Sequence, residues 1–301
     1  MDLQPEMNIN NVPVQKLDDE HFKHLHIELN IFRLDKIHPV VSGNKWFKLK
    51  YYLQQATENN YTSIATSGGA FSNHLLATAY TCNKQNIPCI GYIRGEKPAH
   101  YSQTLLDAQA LNMHLEFLSR EDYANRQRII HTDPSVLFIP EGGYGKTGAK
   151  GAAEILDLVP GLSAYDHIVC AVGTGTMLAG VANASMPHQQ CTGISVMKNN
   201  FSLENEMRSL VNDEAVNRVS LLHNYDFGGY AKYTQPLIDF MNQTWISHHL
   251  PLDFVYTAKA LYAVYHLAEN KYFARGSNIL FIHSGGLQGN RSLTKKTLLY
   301  L

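Results

Sequence analysis

The chain is poor in the features that mark secreted, membrane and nucleic-acid-binding proteins. Its 301 residues hold only four cysteines, Cys82, Cys89, Cys170 and Cys191, and none forms a C-x-x-C pair. That excludes a disulfide framework and predicts mostly buried thiols in a reducing, cytoplasmic setting. The opening Met1 to Asn11 is polar and lacks the apolar core of a signal peptide. No apolar run is long enough to span a bilayer. The formal net charge is -1, which gives no reason to expect a nucleic-acid or membrane partner. Histidine is abundant, but His21, His24 and His26 lack zinc-site spacing, so no metal is expected. With 45% hydrophobic and 17% charged residues, what remains is a soluble globular enzyme of one large or two modest α/β domains.

One local pattern recurs: a β-rich run, a glycine-rich turn, then a helical run. Ser63 to Thr66 leads into Ser67-Gly68-Gly69-Ala70-Phe71-Ser72-Asn73, and Cys89 to Ile93 into Arg94-Gly95. Val136 to Ile139 leads into Pro140-Glu141-Gly142-Gly143, Ile168 to Val172 into Gly173-Thr174-Gly175-Thr176, and Ile279 to His283 into Ser284-Gly285-Gly286. Such alternation predicts parallel sheets with helices on both faces. Ligands of these sheets bind beyond the carboxyl ends of the strands, where all these turns would sit. No low-complexity linker is present, and Gly142 to Gly151 is the best candidate for a domain crossing.

Ser42-Gly43-Asn44-Lys45 opens a segment with apolar residues at Trp46, Leu49 and Leu53, which is helical spacing. Lys45 then starts a helix, where the backbone dipole and Lys48 one turn later both disfavour an ammonium. A lysine of lowered pKa can form a Schiff base with a carbonyl cofactor such as pyridoxal phosphate. A solvated lysine on an ordinary first turn is the alternative. Gly173-Thr174-Gly175-Thr176 offers close backbone approach and hydroxyl donors before a helix, Met177 to Ala184, and so suits a phosphate. It is no dinucleotide fingerprint, because position 178 is Leu178. Gly145-Lys146-Thr147 ends like a P-loop, but the required first glycine falls at Pro140. Ser72 or Asn73 would cap the helical run Leu75 to Cys82, and the exposed N–H groups there could hold a substrate carboxylate. Ser72 lies in no G-x-S-x-G elbow, which disfavours a hydrolase.

In their common order these pieces resemble the 1-aminocyclopropane-1-carboxylate deaminase/D-cysteine desulfhydrase family. The resemblance runs from Arg33-Leu34-Asp35 to Asn290-Arg291 and includes Asp253-x-Val255-Tyr256-Thr257-x-Lys259. It implies a tryptophan synthase β-subunit-like fold of two open, twisted parallel-sheet domains, with pyridoxal phosphate in the cleft between them. Residues 1–49 and 151–301 would form the large, cofactor-binding domain and residues 50–150 the small one. By the same resemblance Lys45 carries the cofactor and moves the α-proton. Asn73 bonds its ring hydroxyl, and Thr174, Gly175 and Thr176 hold its phosphate. Ser72 is the active-site serine, Ser72, Asn73 and His74 form the substrate loop, and Tyr230 and Tyr256 are the two active-site tyrosines. The family usually has glycine after the first tyrosine, where this chain has Ala231. Either tyrosine could instead pack in the core. A homodimer is implied as well.

Two positions separate the family's activities. Deaminases have glutamate after the second tyrosine, facing the pyridine nitrogen; here Thr257 stands there, as in desulfhydrase-like members. A hydroxyl makes the ring a milder electron sink, sufficient when a thiolate carries electrons away. Ser284 keeps the hydroxyl that desulfhydrases have as threonine and deaminases lack. The expectation is a lyase that eliminates the β-substituent of a small amino acid, D-cysteine first, giving pyruvate, ammonia and hydrogen sulfide. The alternatives are 1-aminocyclopropane-1-carboxylate deamination and a related D-amino-acid ammonia-lyase. A nicotinamide dehydrogenase lacks its fingerprint here, and a silent cofactor-binding protein would turn nothing over.

Overall fold

The computed structural model describes residues 7–126, 133–294 and 296–300, so the first part of the polar opening segment lies outside the described residues. In chain order, β1 (Val14–Lys16), α1 (Glu20–Leu25) and β2 (Glu28–Phe32) come first, then α2 (Lys45–Glu58). Next are β3 (Ser63–Gly68), α3 (Asn73–Gln85), β4 (Cys89–Arg94), α4 (Gln103–Ala110), β5 (Met113–Leu118), α5 (Arg120–Ala124), β6 (Val136–Ile139) and α6 (Lys146–Ala153). The chain continues through β7 (His167–Val172), α7 (Thr176–Ala184), β8 (Gln190–Ser195), α8 (Ser202–Arg208), β9 (Val219–Leu222), α9 (Gln235–His248), α10 (Thr257–Glu269) and β10 (Asn278–Ile282).

The strands make two sheets. One has four strands in the order β5-β4-β3-β6, all parallel. The other has six, in the order β1-β2-β10-β7-β8-β9, and its neighbours are parallel except for β1, which returns antiparallel on β2. The larger sheet draws its central strand from the far end of the chain: Ile282 of β10 lies between Phe32 of β2 and Cys170 of β7. Period-two alternation sends the strands' side chains into two cores. Ile168, Cys170, Val172, Leu280 and Ile282 join one, and Val169, Ala171, Ile279 and Phe281 the other. All four cysteines are free and buried, Cys170 among them.

The strands read from the glycine turns are present, β6 over the expected residues and the others within a residue or two. Strands β1, β2, β5, β8 and β9 carry no such turn in the sequence and add to the edges of that reading. The stretch Gly142 to Gly151 leads into α6, which packs between α2 and α7. A Cβ at Gly151 would stand 1.8 Å from the Phe47 carbonyl oxygen, so only glycine lets α6 lie this close to the helix that starts at Lys45.

Candidate active site

The carboxyl ends of β3, β4, β6, β7 and β10 converge on a cavity of about 230 Å³. Eight of the ten site residues named from the sequence line it: Lys45, Ser72, Asn73, His74, Thr174, Gly175, Tyr230 and Tyr256. Thr176 and Thr257 do not. Both are fully buried; the Thr176 hydroxyl lies 3.0 Å from that of Thr174, and Thr257 donates to Asp253 at 2.7 Å.

Lys45 is the first residue of α2, as its sequence setting predicts. Asn44 precedes it without a side-chain cap to the helix, and its Oδ1 instead accepts from Lys45 Nζ at 2.6 Å. Burial pushes the Lys45 amine down to about 8, and Asp253 opposes that shift. The cause expected from sequence was repulsion by Lys48 with the helix dipole. The structure replaces it with desolvation, and places the mutual repulsion on Lys48. Lys48 is itself buried in the cavity wall, held well below its ordinary value first by burial and then by Lys45. Its amine donates to Gly142 O at 3.1 Å, and the Gly142 backbone packs on Thr174.

Two backbone contacts fix the approach to Lys45. Gly43 has φ +66°, and a Cβ there would fall 1.7 Å from Ser284 O, so residues 43 and 284–285 are pressed backbone to backbone. Behind them, Arg33 grips Asp35 through two hydrogen bonds of 2.8 and 2.7 Å, and His283 Nδ1 lies 3.4 Å from the same carboxylate. Burial raises the Asp35 carboxyl, but His283 and Arg33 outweigh it and hold it below its ordinary value.

Ser72 is the N-cap of α3, its Oγ accepting from Leu75 N at 3.3 Å; since it accepts, its own proton stays free. The first-turn amides of Asn73 and His74 have no intrahelical acceptor. Asn73 Oδ1 and His74 Nδ1 are buried without a partner. The Thr66 hydroxyl donates to Ile139 O, so it accepts from His74 Nε2 and leaves Nδ1 as a bare lone pair. Burial, then Lys45 and Lys48, push His74 down to about 3, so the ring is neutral. Orphaned buried groups facing one cavity are what an absent polar ligand leaves behind.

Tyr256 precedes α10, and its ring meets that of Tyr230 edge-on, centroids 6.1 Å apart. Burial raises both phenols, and the closeness of the two tyrosines raises Tyr256 further and lowers Tyr230. Tyr230 sits in a loop that Lys259 pins from beneath, donating to Asp226 O and Gly229 O at 2.7 Å each. Ala231 in this loop has φ +53°, the left-handed conformation that glycine adopts freely, which explains the glycine usual after this tyrosine. Ala231→Gly is expected to raise stability by about 1 kcal/mol, read as a higher denaturant midpoint at unchanged slope.

Sequence reasoning passed over Arg94, Glu141 and Asp253, although each stands in a segment it quoted. Arg94 ends β4 and Glu141 follows β6, so their positions at strand carboxyl ends were the available signal. Asp253 is buried and accepts from the amides of Val255, Tyr256 and Thr257 as well as the Thr257 hydroxyl. A buried carboxylate needs every donor in reach, and it takes the Thr257 proton, which leaves that hydroxyl only its oxygen to offer a cofactor ring.

Residues 6–285 match the family model described as "Pyridoxal-phosphate dependent enzyme". The chain belongs to this family. The enzyme is 29% identical over 310 residues to a Thermotoga maritima protein provisionally named 1-aminocyclopropane-1-carboxylate deaminase, covering 94% of this chain and 96% of that one. It is 28% identical to the bifunctional D-cysteine desulfhydrase/1-aminocyclopropane-1-carboxylate deaminase of Arabidopsis thaliana mitochondria, over 87% of this chain and 73% of that one. Its fold superposes on the crystal structure of an ACC deaminase homologue with a TM-score of 0.81, at 26% identity over 93% of this chain and 90% of that one. The enzyme is therefore an α/β protein of the fold expected from the resemblance and depends on pyridoxal phosphate. Among the described residues no helix is long and apolar enough to cross a membrane.

Proposed function

We propose that the enzyme is a lyase that eliminates the β-substituent of a small amino acid, with D-cysteine giving pyruvate, ammonia and hydrogen sulfide. The observation that carries this reading is Thr257. The residue after Tyr256 is a threonine where the resemblance gives deaminases a glutamate, so no carboxylate follows Tyr256 to hold a ring nitrogen protonated. Bound in the cavity, pyridoxal phosphate supplies an electron sink for charge developing at the substrate Cα. Its phosphate fits the turn Thr174, Gly175 and Thr176 at the start of α7, with the Lys48 amine at hand, and the unpartnered Asn73 amide suits its ring hydroxyl.

The chain's own groups divide the remaining work. Lys45 anchors the cofactor, and its amine, neutral above about pH 8, takes the proton from Cα. Ser72 with the free amides of Asn73 and His74 orients the substrate carboxylate at the positive end of α3. Tyr230, its phenol raised by burial, keeps its proton to give to the departing sulfur. The same reading takes 1–49 with 151–301 as the cofactor-binding domain, 50–150 as the smaller one, and a cytoplasmic homodimer as the working form, which sedimentation of the holoenzyme checks.

The test is incubation of the holoenzyme with D-cysteine, L-cysteine, D-serine, β-chloro-D-alanine and 1-aminocyclopropane-1-carboxylate. The expected result is pyruvate and sulfide in equal amounts from D-cysteine. 2-Oxobutanoate from 1-aminocyclopropane-1-carboxylate, with no pyruvate from the other four compounds, overturns the assignment.

A further inference from the structure

Two opposite charges stand in the cavity wall without pairing with each other. Arg94, exposed at the end of β4, makes no hydrogen bond or ion pair among the described residues; its guanidinium lies beside Gly69 and near the Tyr123 ring, 5.8 Å from Cζ. Glu141, after β6, accepts from the Tyr123 hydroxyl at 2.7 Å through Oε2. Tyr123 thus lies between the two charges and holds them apart. Burial and Glu141 raise its phenol, so it stays a donor. Arg126 already covers the Tyr123 ring at 4.5 Å and donates to its carbonyl, so Arg94 is not needed to seat it. Both charges also act on Tyr230, the residue facing the substrate's β-substituent in the reading above. An unpaired guanidinium and a carboxylate with a free oxygen in one cleft form a receptor for a ligand carrying both charges, separated.

From the unpaired Arg94 and Glu141 flanking Tyr123, we infer that the enzyme's preferred substrates carry a zwitterionic β-substituent, a thioether whose leaving thiol bears its own ammonium and carboxylate. Arg94 receives the distal carboxylate and Glu141 the distal ammonium. The inference rests on the β-elimination reading and narrows its substrate class; D-cysteine is then the smallest member, with no tail to bind. The reaction balances as simple elimination. The Cα proton goes to Lys45, the Cβ–S bond breaks with its electron pair on sulfur, and Tyr230 supplies the thiol proton. Water then converts the enamine to pyruvate and ammonia.

The experiment compares four S-substituted cysteines, each as D and L enantiomer, on the holoenzyme: S-methyl (neutral), S-carboxymethyl (anionic), S-(2-aminoethyl) (cationic) and lanthionine (zwitterionic). Pyruvate release gives kcat/KM, and the change in cofactor absorbance on titration gives binding independently of turnover. Lanthionine is expected to exceed the S-methyl compound by about tenfold or more in both. Arg94→Gln should lower the S-carboxymethyl to S-methyl ratio about tenfold, and Glu141→Gln the S-(2-aminoethyl) to S-methyl ratio likewise. Equal values for all four tails overturn the inference. So does an equal loss for every tail in Arg94→Gln, which would put that residue on the α-carboxylate. If D-cysteine yields pyruvate while the tails are indifferent, only this inference fails. If nothing yields pyruvate but titration still ranks lanthionine first, the elimination reading fails and the charge receptor stands.

Discussion

Lys45→Ala is expected to yield a folded protein that has lost its covalent hold on pyridoxal phosphate and at least about a thousandfold of its lyase rate. Purified with added cofactor, the wild type should show a visible absorption band that the variant lacks. The variant should release cofactor on gel filtration. Lys45 starts α2 half-buried, with its amine bonded only to Asn44, so truncation removes no core contact and leaves the fold intact. The burial that depresses its pKa to about 8 sets a second expectation. Capture of cofactor by the apoprotein needs the neutral amine. The neutral fraction is about one tenth at pH 7 and about one half at pH 8, so the initial capture rate should rise roughly fivefold between them and flatten above pH 9. An ordinary lysine would go on rising about tenfold per pH unit through pH 10. That steeper profile would refute the assignment of the lowered amine to Lys45.

Asp253→Ala should be the most destabilising single change near the cavity, costing about 4 kcal/mol and about 10 °C in melting temperature. Its carboxylate accepts three amides and one hydroxyl at 2.7–3.0 Å. Each orphaned donor costs on the order of 1 kcal/mol or more, partly offset because a buried charge disappears with them. Asp253→Asn keeps one accepting oxygen and turns an amide toward the remaining donors, so it should lose less. The damage also reaches chemistry. These bonds fix the start of α10, where Tyr256 and Thr257 sit, and Asp253 is the charge that opposes the desolvation of Lys45. Differential scanning calorimetry gives the stability loss, and the pH profile of cofactor capture should move to lower pH in both variants.

Much of the site could be read before any coordinates, because its residues sit on glycine turns after apolar strands. Val136 to Ile139 is such a strand, and the turns at Gly173 and Gly285 border the cavity as their spacing predicts. What could not be read is burial. Lys45 and Lys48 look alike in sequence as two cations one turn apart. Only packing under α6 shows that desolvation dominates both, and that Lys48 takes the larger share of their repulsion. The bond from Thr257 to Asp253 was hidden for a similar reason: nothing in the order of residues marks Asp253 as buried. Arg94 and Glu141 were each visible, but on different strands, and only the sheet order β4-β3-β6 brings their ends to one wall. Ala231 is the converse case, where departure from a usual glycine is legible in sequence and the φ of +53° gives it a physical meaning.

The close seating of Gly43 on Ser284 and the central position of β10 between β2 and β7 bear on how the protein is made. On the ribosome, β2 and β7 emerge long before the strand that joins them. Each waits with an open edge, and Lys45 has no floor beneath its loop. The four-stranded sheet, built wholly from residues 63–139, can close early. Lys45 is thus among the first residues synthesised and among the last to acquire its surroundings. Chains halted before residue 284 should carry a finished small sheet and no site at all.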